Sequence, residues 1–242
     1  MIAIHVDHLT KAYKEKRAVD DLSLQIREGE LYALLGVNGA GKTTTLKMLS
    51  CLIPPTSGDA LLMGSSIVSA PLQVKRCISI SPQETAVAMN LTVWENLLFI
   101  AGIYGLTGSE AREKAESLLT AFSLGEYRNQ RAKTLSGGTQ RRLSLALALI
   151  SGPRVLFLDE PTLGLDVLAR RELWRKIEAL KGKITIILTT HYMEEAEKLA
   201  DRVGIMARGR LTAEGTPTQL MEQAQADRFE DAFIALAGEG NR

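Results

Sequence analysis

Aromatic residues are scarce in this chain, and charge of either sign is not in excess. Phe, Trp and Tyr make up 5% of the 242 residues, which leaves no obvious surface on which nucleic-acid bases could stack. The 29 lysines and arginines are balanced by 28 aspartates and glutamates, whereas nucleic-acid-binding domains are usually basic. We therefore expect no nucleic acid among the partners of this chain.

Cysteines and long apolar runs are also lacking. The two cysteines, Cys51 and Cys77, lie far apart and outside any CxxC motif, which argues against a disulfide framework or a zinc site and fits a reducing cytoplasm. No apolar run approaches the ~20 residues of a membrane-spanning helix, and the N-terminus turns polar too soon for a signal peptide. The densest stretch, residues 143–150, predicts a buried helix. We expect a soluble chain that serves a membrane, if at all, through a partner.

Short apolar runs alternate with helical patterns along most of the chain. Residues 31–35, 155–158 and 184–188 each predict a buried strand that is followed by a helical segment. Such alternation indicates an α/β protein with a parallel sheet flanked by helices. Residues 2–6 and 22–26 predict two further strands near the N-terminus. Between the first and second buried strands, a long segment from about residue 90 to residue 150 is predicted to be a helical insertion.

A glycine-rich loop follows the strand predicted at residues 31–35 and precedes a predicted helix at 42–51. Residues 36–43 match the phosphate-loop pattern GxxxxGK[ST]. Glycines let backbone N–H groups point at phosphate oxygens, and the start of the helix adds partial positive charge. Lys42 would reach the β- and γ-phosphates, and the Thr43 hydroxyl would bind Mg²⁺. A plain glycine-rich turn is the alternative, which this strand-loop-helix context disfavours. The predicted nucleotide contacts are Gly36, Val37, Asn38, Gly39, Ala40, Gly41, Lys42, Thr43 and Thr44.

Two adjacent carboxylates end the strand predicted at residues 155–158. Asp159 and Glu160 would lie at the carboxyl end of a parallel strand, where α/β proteins bind ligands. Burying charge there is costly unless a cation or a reaction needs it. Neighbouring side chains on a strand point in different directions. We predict that Asp159 holds Mg²⁺ through its water shell and that Glu160 is the general base. A solvated strand end with ordinary acids is the alternative.

A third segment carries a resemblance to a known family. Residues 135–140 read LSGGTQ and lie shortly before the two acids. This segment resembles the signature sequence of the nucleotide-binding subunits of ABC transporters, although Thr139 stands where that family usually has glutamine. Two copies pack head to tail in the family, with each ATP between the phosphate loop of one copy and the signature of the other. The alternative is a mere helix cap. The resemblance implies phosphate contacts from Ser136, Gly137 and Gly138.

The resemblance covers about residues 1–220 and implies a domain organisation. The expected fold is a P-loop NTPase core with a mostly parallel sheet, an N-terminal antiparallel β subdomain and an inserted α-helical subdomain at about residues 88–150. Residues 221–242 would form a short C-terminal helical tail.

Four further positions match the family residue by residue. Tyr13 resembles the aromatic residue that stacks on adenine, with a packing or surface role as the alternative. Gln83 resembles the glutamine that contacts Mg²⁺ and the attacking water, rather than a plain polar loop residue. His191 resembles the switch histidine that bonds the γ-phosphate, although a lone histidine is usually structural. Asp166 resembles the loop aspartate that crosses the dimer interface, with an N-cap for the following helix as the alternative.

These assignments together imply an ATPase whose catalytic groups are Glu160, His191, Gln83 and Lys42. The chain has no Asn-Lys-x-Asp motif for guanine, which favours ATP over GTP as the nucleotide. The resemblance implies Mg²⁺ held by Thr43, Gln83 and Asp159. It also implies a second ATP-binding subunit as partner, with a homodimer as our expectation.

Two classes of ABC protein remain open at this point. The chain could be the energy-coupling subunit of a transporter, on the cytoplasmic face of the membrane beside integral membrane permease subunits. It could instead be a soluble ABC ATPase with a non-transport partner, but it has one cassette and no coiled-coil insert. Residues 189–197 and 229–236 resemble ABC-2 type subunits, which mostly drive export. Trp94 and Phe99 lie where the family receives a short helix of the membrane subunit; as an alternative, both fill the helical core.

Overall fold

The computed structural model describes residues 1–238, which form ten strands in two sheets with nine α-helices around them. The strands β1–β10 are Ile2–Tyr13, Lys16–Arg27, Leu31–Leu35, Ser57–Leu62, Ser65–Ser66, Ile78–Ser81, Val155–Asp159, Thr185–Thr190, Arg202–Ala207 and Arg210–Gly215. The helices α1–α9 are Lys42–Leu49, Pro71–Cys77, Val93–Ile103, Gly108–Ala121, Gly137–Leu149, Val167–Glu178, Met193–Leu199, Pro217–Gln223 and Phe229–Gly238. Two short 3-10 turns, Gly125–Tyr127 and Ala132–Thr134, precede α5.

The smaller sheet is antiparallel and lies mostly near the N-terminus, with the strand order β2-β1-β4-β5. Alternation explains its placement, since Leu22, Leu24 and Ile26 are buried while their polar neighbours face outward. The two strands predicted near the N-terminus are parts of one long hairpin, because the alternation continues through polar residues on the solvent side. This sheet corresponds to the expected antiparallel subdomain.

The larger sheet has the order β10-β9-β3-β8-β7-β6. All its neighbouring pairs are parallel except β9 and β10. Every residue of β3, β7 and β8 is buried, because both faces of these strands are covered, and this explains their continuous apolar character. The predicted α/β fold with a mostly parallel sheet is confirmed.

Helices α3, α4 and α5 form the predicted helical region. Helix α3 begins with a capping box, in which Thr92 accepts from the Glu95 N–H and the Glu95 carboxylate accepts from the Thr92 N–H. Helix α5 is buried from Thr139 to Leu149 apart from Gln140, as predicted for its apolar run, because it lies between the other helices and the large sheet. One apolar cluster therefore runs from α3 and α4 through α5 into β7 and β8. The exact boundaries of the helical subdomain stay a prediction.

The C-terminal helices pack on the rest of the domain. Helix α9 buries Phe229, Ala232, Phe233 and Leu236 against α7, α8, β9 and β10. Helix α9 lies within the segment predicted as a C-terminal helical tail, of which residues 239–242 lie outside the described residues, and the bounds of that tail stay a prediction. No helix within residues 1–238 is both long enough and apolar enough to cross a membrane.

Candidate functional site

A cleft opens where the parallel strands β3, β7 and β8 end. Their carboxyl ends meet at the same edge of the sheet, and the loops that follow them bring the predicted residues together. The cleft has a volume of about 550 Å³, within the usual range for ligand pockets. Its lining residues are Tyr13, Lys16, Ala18, Asn38, Gly39, Ala40, Gly41, Lys42, Thr43, Thr44, Gln83, Glu160, Leu163 and His191.

Glycines give the loop between β3 and α1 its shape. Gly41 has a φ of 108°, and a Cβ there would lie 2.4 Å from the Ala18 carbonyl oxygen. Gly36 has no room for a side chain either, since a Cβ would lie 2.4 Å from the Met206 carbonyl oxygen. Helix α1 then starts with no side-chain cap on its N–H groups. The start of this helix is open to an anion, as the phosphate-loop pattern predicts.

Lys42 lies at the centre of this loop and is 5% exposed. Its Nζ donates to the Gly36 carbonyl oxygen at 2.7 Å and to the Val37 carbonyl oxygen at 3.2 Å. Burial lowers the pKa of Lys42, and the carboxylates of Glu160 and Asp159 oppose that shift. Gly36 and Val37, which were predicted to contact nucleotide, do not line the cleft; their carbonyl oxygens hold the ammonium group instead.

Asp159 forms an oxygen cluster with two hydroxyl groups. Its Oδ1 accepts from Thr43 Oγ1 at 3.1 Å and from Thr189 Oγ1 at 2.5 Å. A carboxylate beside a hydroxyl is a donor set that suits Mg²⁺, which needs only one or two protein carboxylates because it keeps waters and binds substrate phosphates. Residues 1–238 contain no cluster of three or more His, Cys, Asp or Glu side chains suited to a metal. The Asp159 carboxylate and the Thr43 hydroxyl thus fit Mg²⁺ that is also bound by a phosphate substrate, rather than a metal held by protein side chains alone.

Glu160 follows β7 in a left-handed backbone conformation with a φ of 45°. Its N–H donates to the Thr189 carbonyl oxygen at 3.0 Å. Its Oε1 lies 3.7 Å from Lys42 Nζ and 3.2 Å from His191 Nδ1. Despite this short distance to the carboxylate, the buried His191 Nδ1 makes no hydrogen bond within residues 1–238. A carboxylate, an ammonium and an imidazole thus converge, and such backbone strain is typical of functional positions.

Gln83 and Tyr13 complete the cleft from its two sides. Gln83 is exposed on the loop after β6. Tyr13 is the last residue of β1, and 49% of it is exposed. Lys11 Nζ lies 5.4 Å from the centroid of the Tyr13 ring. The Tyr13 ring is therefore at the cleft surface rather than in the core, where a planar ligand could stack on it.

The signature residues lie outside the lining of this cleft. Ser136 Oγ caps α5 by accepting from the Thr139 N–H at 3.3 Å. Ser136 and Gly137 are exposed. A Cβ on Gly138 would lie 2.8 Å from the Ala169 side chain, so glycine allows the start of α5 to approach α6. The cap predicted as the alternative is present, and it leaves the helix start exposed.

Asp166 also lies outside the cleft lining. Its Oδ1 accepts from the Leu168 and Ala169 N–H groups, each at 2.9 Å, and so it caps α6. The cap given as the alternative in the sequence analysis is thus formed. Leu168 beside it is 79% exposed.

Sequence reasoning missed several residues of this region, namely Lys16, Ala18 and Leu163 in the cleft lining and Arg141 behind it. The Arg141 guanidinium is buried behind the cleft and donates only to backbone carbonyl oxygens. The available signal was a pair of arginines, Arg141 and Arg142, directly before the apolar run 143–150, since a charge on a buried helix needs partners.

A family comparison decides what this arrangement belongs to. The family model described as "ABC transporter" matches residues 19–163, more than half of the chain. The chain belongs to the ABC transporter family. It is an ATP-binding subunit of the ABC type and an ATPase, as the signature and the two acids predict.

Curated ABC proteins resemble the chain over nearly its whole length. It is 43% identical over 219 residues to the daunorubicin/doxorubicin resistance ATP-binding protein DrrA of Streptomyces peucetius, covering 90% of this chain and 66% of DrrA. It is 43% identical over 224 residues to the phospholipid-transporting ATPase ABCA3 of Homo sapiens, covering 91% of this chain and 13% of ABCA3. It is 40% identical over 239 residues to the probable multidrug ABC transporter ATP-binding protein YbhF of Escherichia coli K12, covering 96% of this chain and 41% of YbhF. The chain thus spans only part of each of these relatives.

Solved structures of ABC ATPases share the fold. The ATP-binding subunit of an ABC transporter superposes with a TM-score of 0.85 at 29% identity, covering 97% of this chain and 99% of that one. The dimeric ATP-binding cassette MJ0796, in a post-hydrolysis state with ADP and Pi, gives a TM-score of 0.79 at 26% identity, covering 88% and 98%. cbiO1 of Clostridium perfringens, part of the ABC transporter complex cbiONQ, gives 0.84 at 26% identity, covering 92% and 91%. The predicted P-loop fold and family are confirmed.

Proposed function

We propose that this ABC ATPase closes as a homodimer around ATP and powers export through a separate membrane subunit. The observation that carries the ATP chemistry is the convergence of Glu160, Lys42 and His191 within one cleft, with distances of 3.7 and 3.2 Å from the carboxylate to the other two groups. The phosphates of ATP would lie at the open start of α1, and adenine would stack on Tyr13.

The position of the signature supports the proposed dimer. Ser136 and Gly137 are exposed at the start of α5 and do not reach the cleft of their own chain. A helix start of this kind can bind an anion, and ATP held by another copy would supply the phosphate. The solved relative MJ0796 is dimeric, which supports this arrangement. Asp166, exposed Leu168 and Ser136 would then face the second copy.

Hydrolysis would proceed by in-line attack of water on the γ-phosphate. Glu160 would orient that water or take its proton, while Lys42 and the loop N–H groups stabilise charge on the transferred group. His191 Nδ1, which makes no hydrogen bond within residues 1–238, would bond a γ-phosphate oxygen. Mg²⁺, held by Thr43 and Asp159 with Gln83 beside them, would neutralise charge on the β- and γ-phosphates when bound.

Replacement of the base tests the chemistry. We expect Glu160→Gln to keep ATP binding and to lower turnover by about 10²- to 10⁴-fold, as for loss of a general base. The ATP-bound dimer should then accumulate, which size-exclusion chromatography with ATP would detect. Glu214→Gln is the matched control, since Glu214 pairs with Arg202 at the opposite end of the sheet. Normal turnover of Glu160→Gln would reject the assignment.

Export is the direction that the relatives favour. DrrA and YbhF carry names of drug resistance and multidrug transport, and ABCA3 is named for phospholipid transport. Phe99 is 54% exposed on α3, so it does not fill the helical core. Trp94 is half-buried against that core, with the Arg128 guanidinium 3.8 Å from its ring centroid. Phe99 is therefore the better candidate for contact with a membrane subunit.

Purification from detergent-solubilised membranes of the host separates the transporter from a soluble ABC ATPase. We expect a multi-helix membrane protein to be recovered in equal amount, which would place this chain on the cytoplasmic face of the membrane. Phe99→Asp should lose that partner, whereas Leu72→Asp, at a 74% exposed site on α2, should keep it. Recovery from the cytosol alone with soluble partners would reject the transporter and leave the ATP chemistry intact.

A further inference from the structure

One arginine of helix α5 connects the two loops that frame the reaction centre. Arg141 is 5% exposed, and its guanidinium meets five backbone carbonyl oxygens. An arginine has five N–H donors in a planar fork, so the acceptors match the donors in number. The acceptors are Pro161 at 2.6 Å from Nε, Pro82 and Gln83 at 2.6 and 3.0 Å from Nη1, and Asp159 and Glu160 at 3.1 Å each from Nη2.

These carbonyl oxygens belong to two loops that the sheet itself does not hold together. Strands β6 and β7 are paired as far as Ser81 and Leu158. Beyond that pair, the chains diverge into the loop of Gln83 and the turn of Glu160. No backbone hydrogen bond joins residues 82–84 to residues 159–162 among the described residues. Arg141 therefore links the two segments just beyond the last paired residues of β6 and β7.

The contacts are with the backbone, so they fix where the two catalytic side chains start. Arg141 is not among the residues that line the cleft. Its charge is therefore not offered to substrate. Burial lowers its pKa, and the charges of Asp159 and Glu195 oppose the shift. Loss of the guanidinium would leave buried carbonyl oxygens without donors, and the loops would shift to find others.

We infer that Arg141 is a positioning residue for hydrolysis, which sets the spacing of the Gln83 loop and the Glu160 turn. The inference rests on the proposed role of Glu160 and goes beyond it. A displacement of about 1 Å in a reacting group can lower the rate by about 10²-fold. Nucleotide affinity depends on the separate loop of residues 36–44 and should be spared.

The first test measures ATP binding and ATP hydrolysis separately. We expect Arg141→Met to bind ATP within about 3-fold of the parent and to lose about 10- to 100-fold in kcat at saturating ATP. Arg141→Lys keeps the charge but not the planar fork, so it should restore part of that loss. Arg202→Met is the matched control, because Arg202 binds the Gln25 carbonyl oxygen and two carboxylates at the far end of the sheet. It should lose stability and keep kcat.

A double variant distinguishes positioning from a merely structural role. In the Glu160→Gln background, Arg141→Met should lower residual hydrolysis by less than about 3-fold, because the spacing between Gln83 and Glu160 has no effect on the rate once the Glu160 carboxylate is gone. The double variant should still form the ATP-bound dimer on size exclusion. The inference would be overturned if the losses in hydrolysis rate of the two single variants multiplied in the double variant, or if the double variant failed to dimerise.

The outcomes also separate this inference from the proposed function. Normal kcat of Arg141→Met together with a slow Glu160→Gln would overturn the role of Arg141 alone. Normal turnover of Glu160→Gln would overturn both, since Arg141 is inferred to act through Glu160. If Arg141→Met does not fold, Arg141→Lys decides the question, with an unchanged kcat counting against the positioning role.

Discussion

Two helix starts in this chain offer N–H groups to an anion, and they are built in opposite ways. Helix α1 begins at Lys42, and its N-cap residue Gly41 provides no side-chain cap, so its first N–H groups are left for phosphate. Helix α5 is capped by its own Ser136. The first start has no side chain that accepts from its N–H groups, whereas the second has a serine cap that would also face a second copy in the proposed dimer.

The comparison predicts the largest effect at the uncapped start. Lys42→Met should reduce turnover by about 10²- to 10³-fold, as loss of a charge-stabilising donor does, and should weaken ATP binding by about 10- to 100-fold. Calorimetric titration with ATP and a steady-state ATPase assay would measure both. Lys16→Met, a variant of a cleft-lining residue outside the loop, is the control. Unchanged ATP binding in Lys42→Met would remove the distinction between the two helix starts.

A smaller effect is expected at the capped start. Ser136→Ala removes a cap worth about 1 kcal/mol and, in a dimer, a phosphate contact as well. Thr216→Ala is a matched control, because Thr216 caps α8 through the same kind of bond to Gln219, at 3.2 Å. Both variants should lose similar stability in urea unfolding. Only Ser136→Ala should also lose ATP-dependent dimer and about 10-fold in turnover. Equal turnover and dimer formation in the two variants would mean that Ser136 acts only as a helix cap.

The smallest effect concerns a buried carboxylate behind His191. Glu195 is fully buried, and its Oε1 accepts from Thr162 Oγ1 at 2.8 Å and from Trp174 Nε1 at 2.9 Å. Burial raises its pKa above 4.5, and these hydrogen bonds oppose the rise. The folded state therefore holds the proton more tightly than the unfolded state, so this residue stabilises the fold below about pH 4.5 and the contribution is lost as the pH rises toward the folded pKa.

Glu195→Gln should remove that dependence on pH. The amide keeps the oxygen acceptor but cannot ionise, so the stability of the variant relative to the parent should increase from about pH 4.5 upward and then level off. Urea unfolding at several pH values would measure it. Glu194→Gln, whose side chain is 66% exposed on the same helix, should show no such trend. A constant difference across pH would contradict the protonation of the buried group.

Local patterns explain which parts of the molecule could be predicted. The loop of residues 36–43 is contiguous and has strong strand and helix signals beside it, so its position followed from the sequence. The strand Ile78–Ser81 was missed because four residues alternating Ile and Ser give too short a signal. Strands β9 and β10 were missed as well, since glycine and charged residues interrupt their alternation. Pairing within the sheet stabilises these strands where local preference does not.

Contacts between distant segments could not be predicted from the sequence. Arg141 joins carbonyl groups near residues 82 and 160, and no spacing in the chain indicates that meeting. The same holds for Lys42, whose hydrogen bonds to its own loop follow from how the backbone turns. Cleft residues carried over one by one, such as Gln83 and His191, depended on family resemblance, because a lone glutamine or histidine carries little local signal.

If Glu160 is the base, as proposed, its left-handed backbone sets activity against stability. A side chain at a φ of 45° costs about 1–2 kcal/mol in an L-residue, and asparagine or glycine adopts that conformation more readily. The fold would therefore be more stable with asparagine or glycine in place of the proposed base, Glu160. Selection of variants for heat resistance alone would therefore favour inactive enzymes at this position. A thermostable variant that has lost the carboxylate would owe its stability to the relief of this backbone strain.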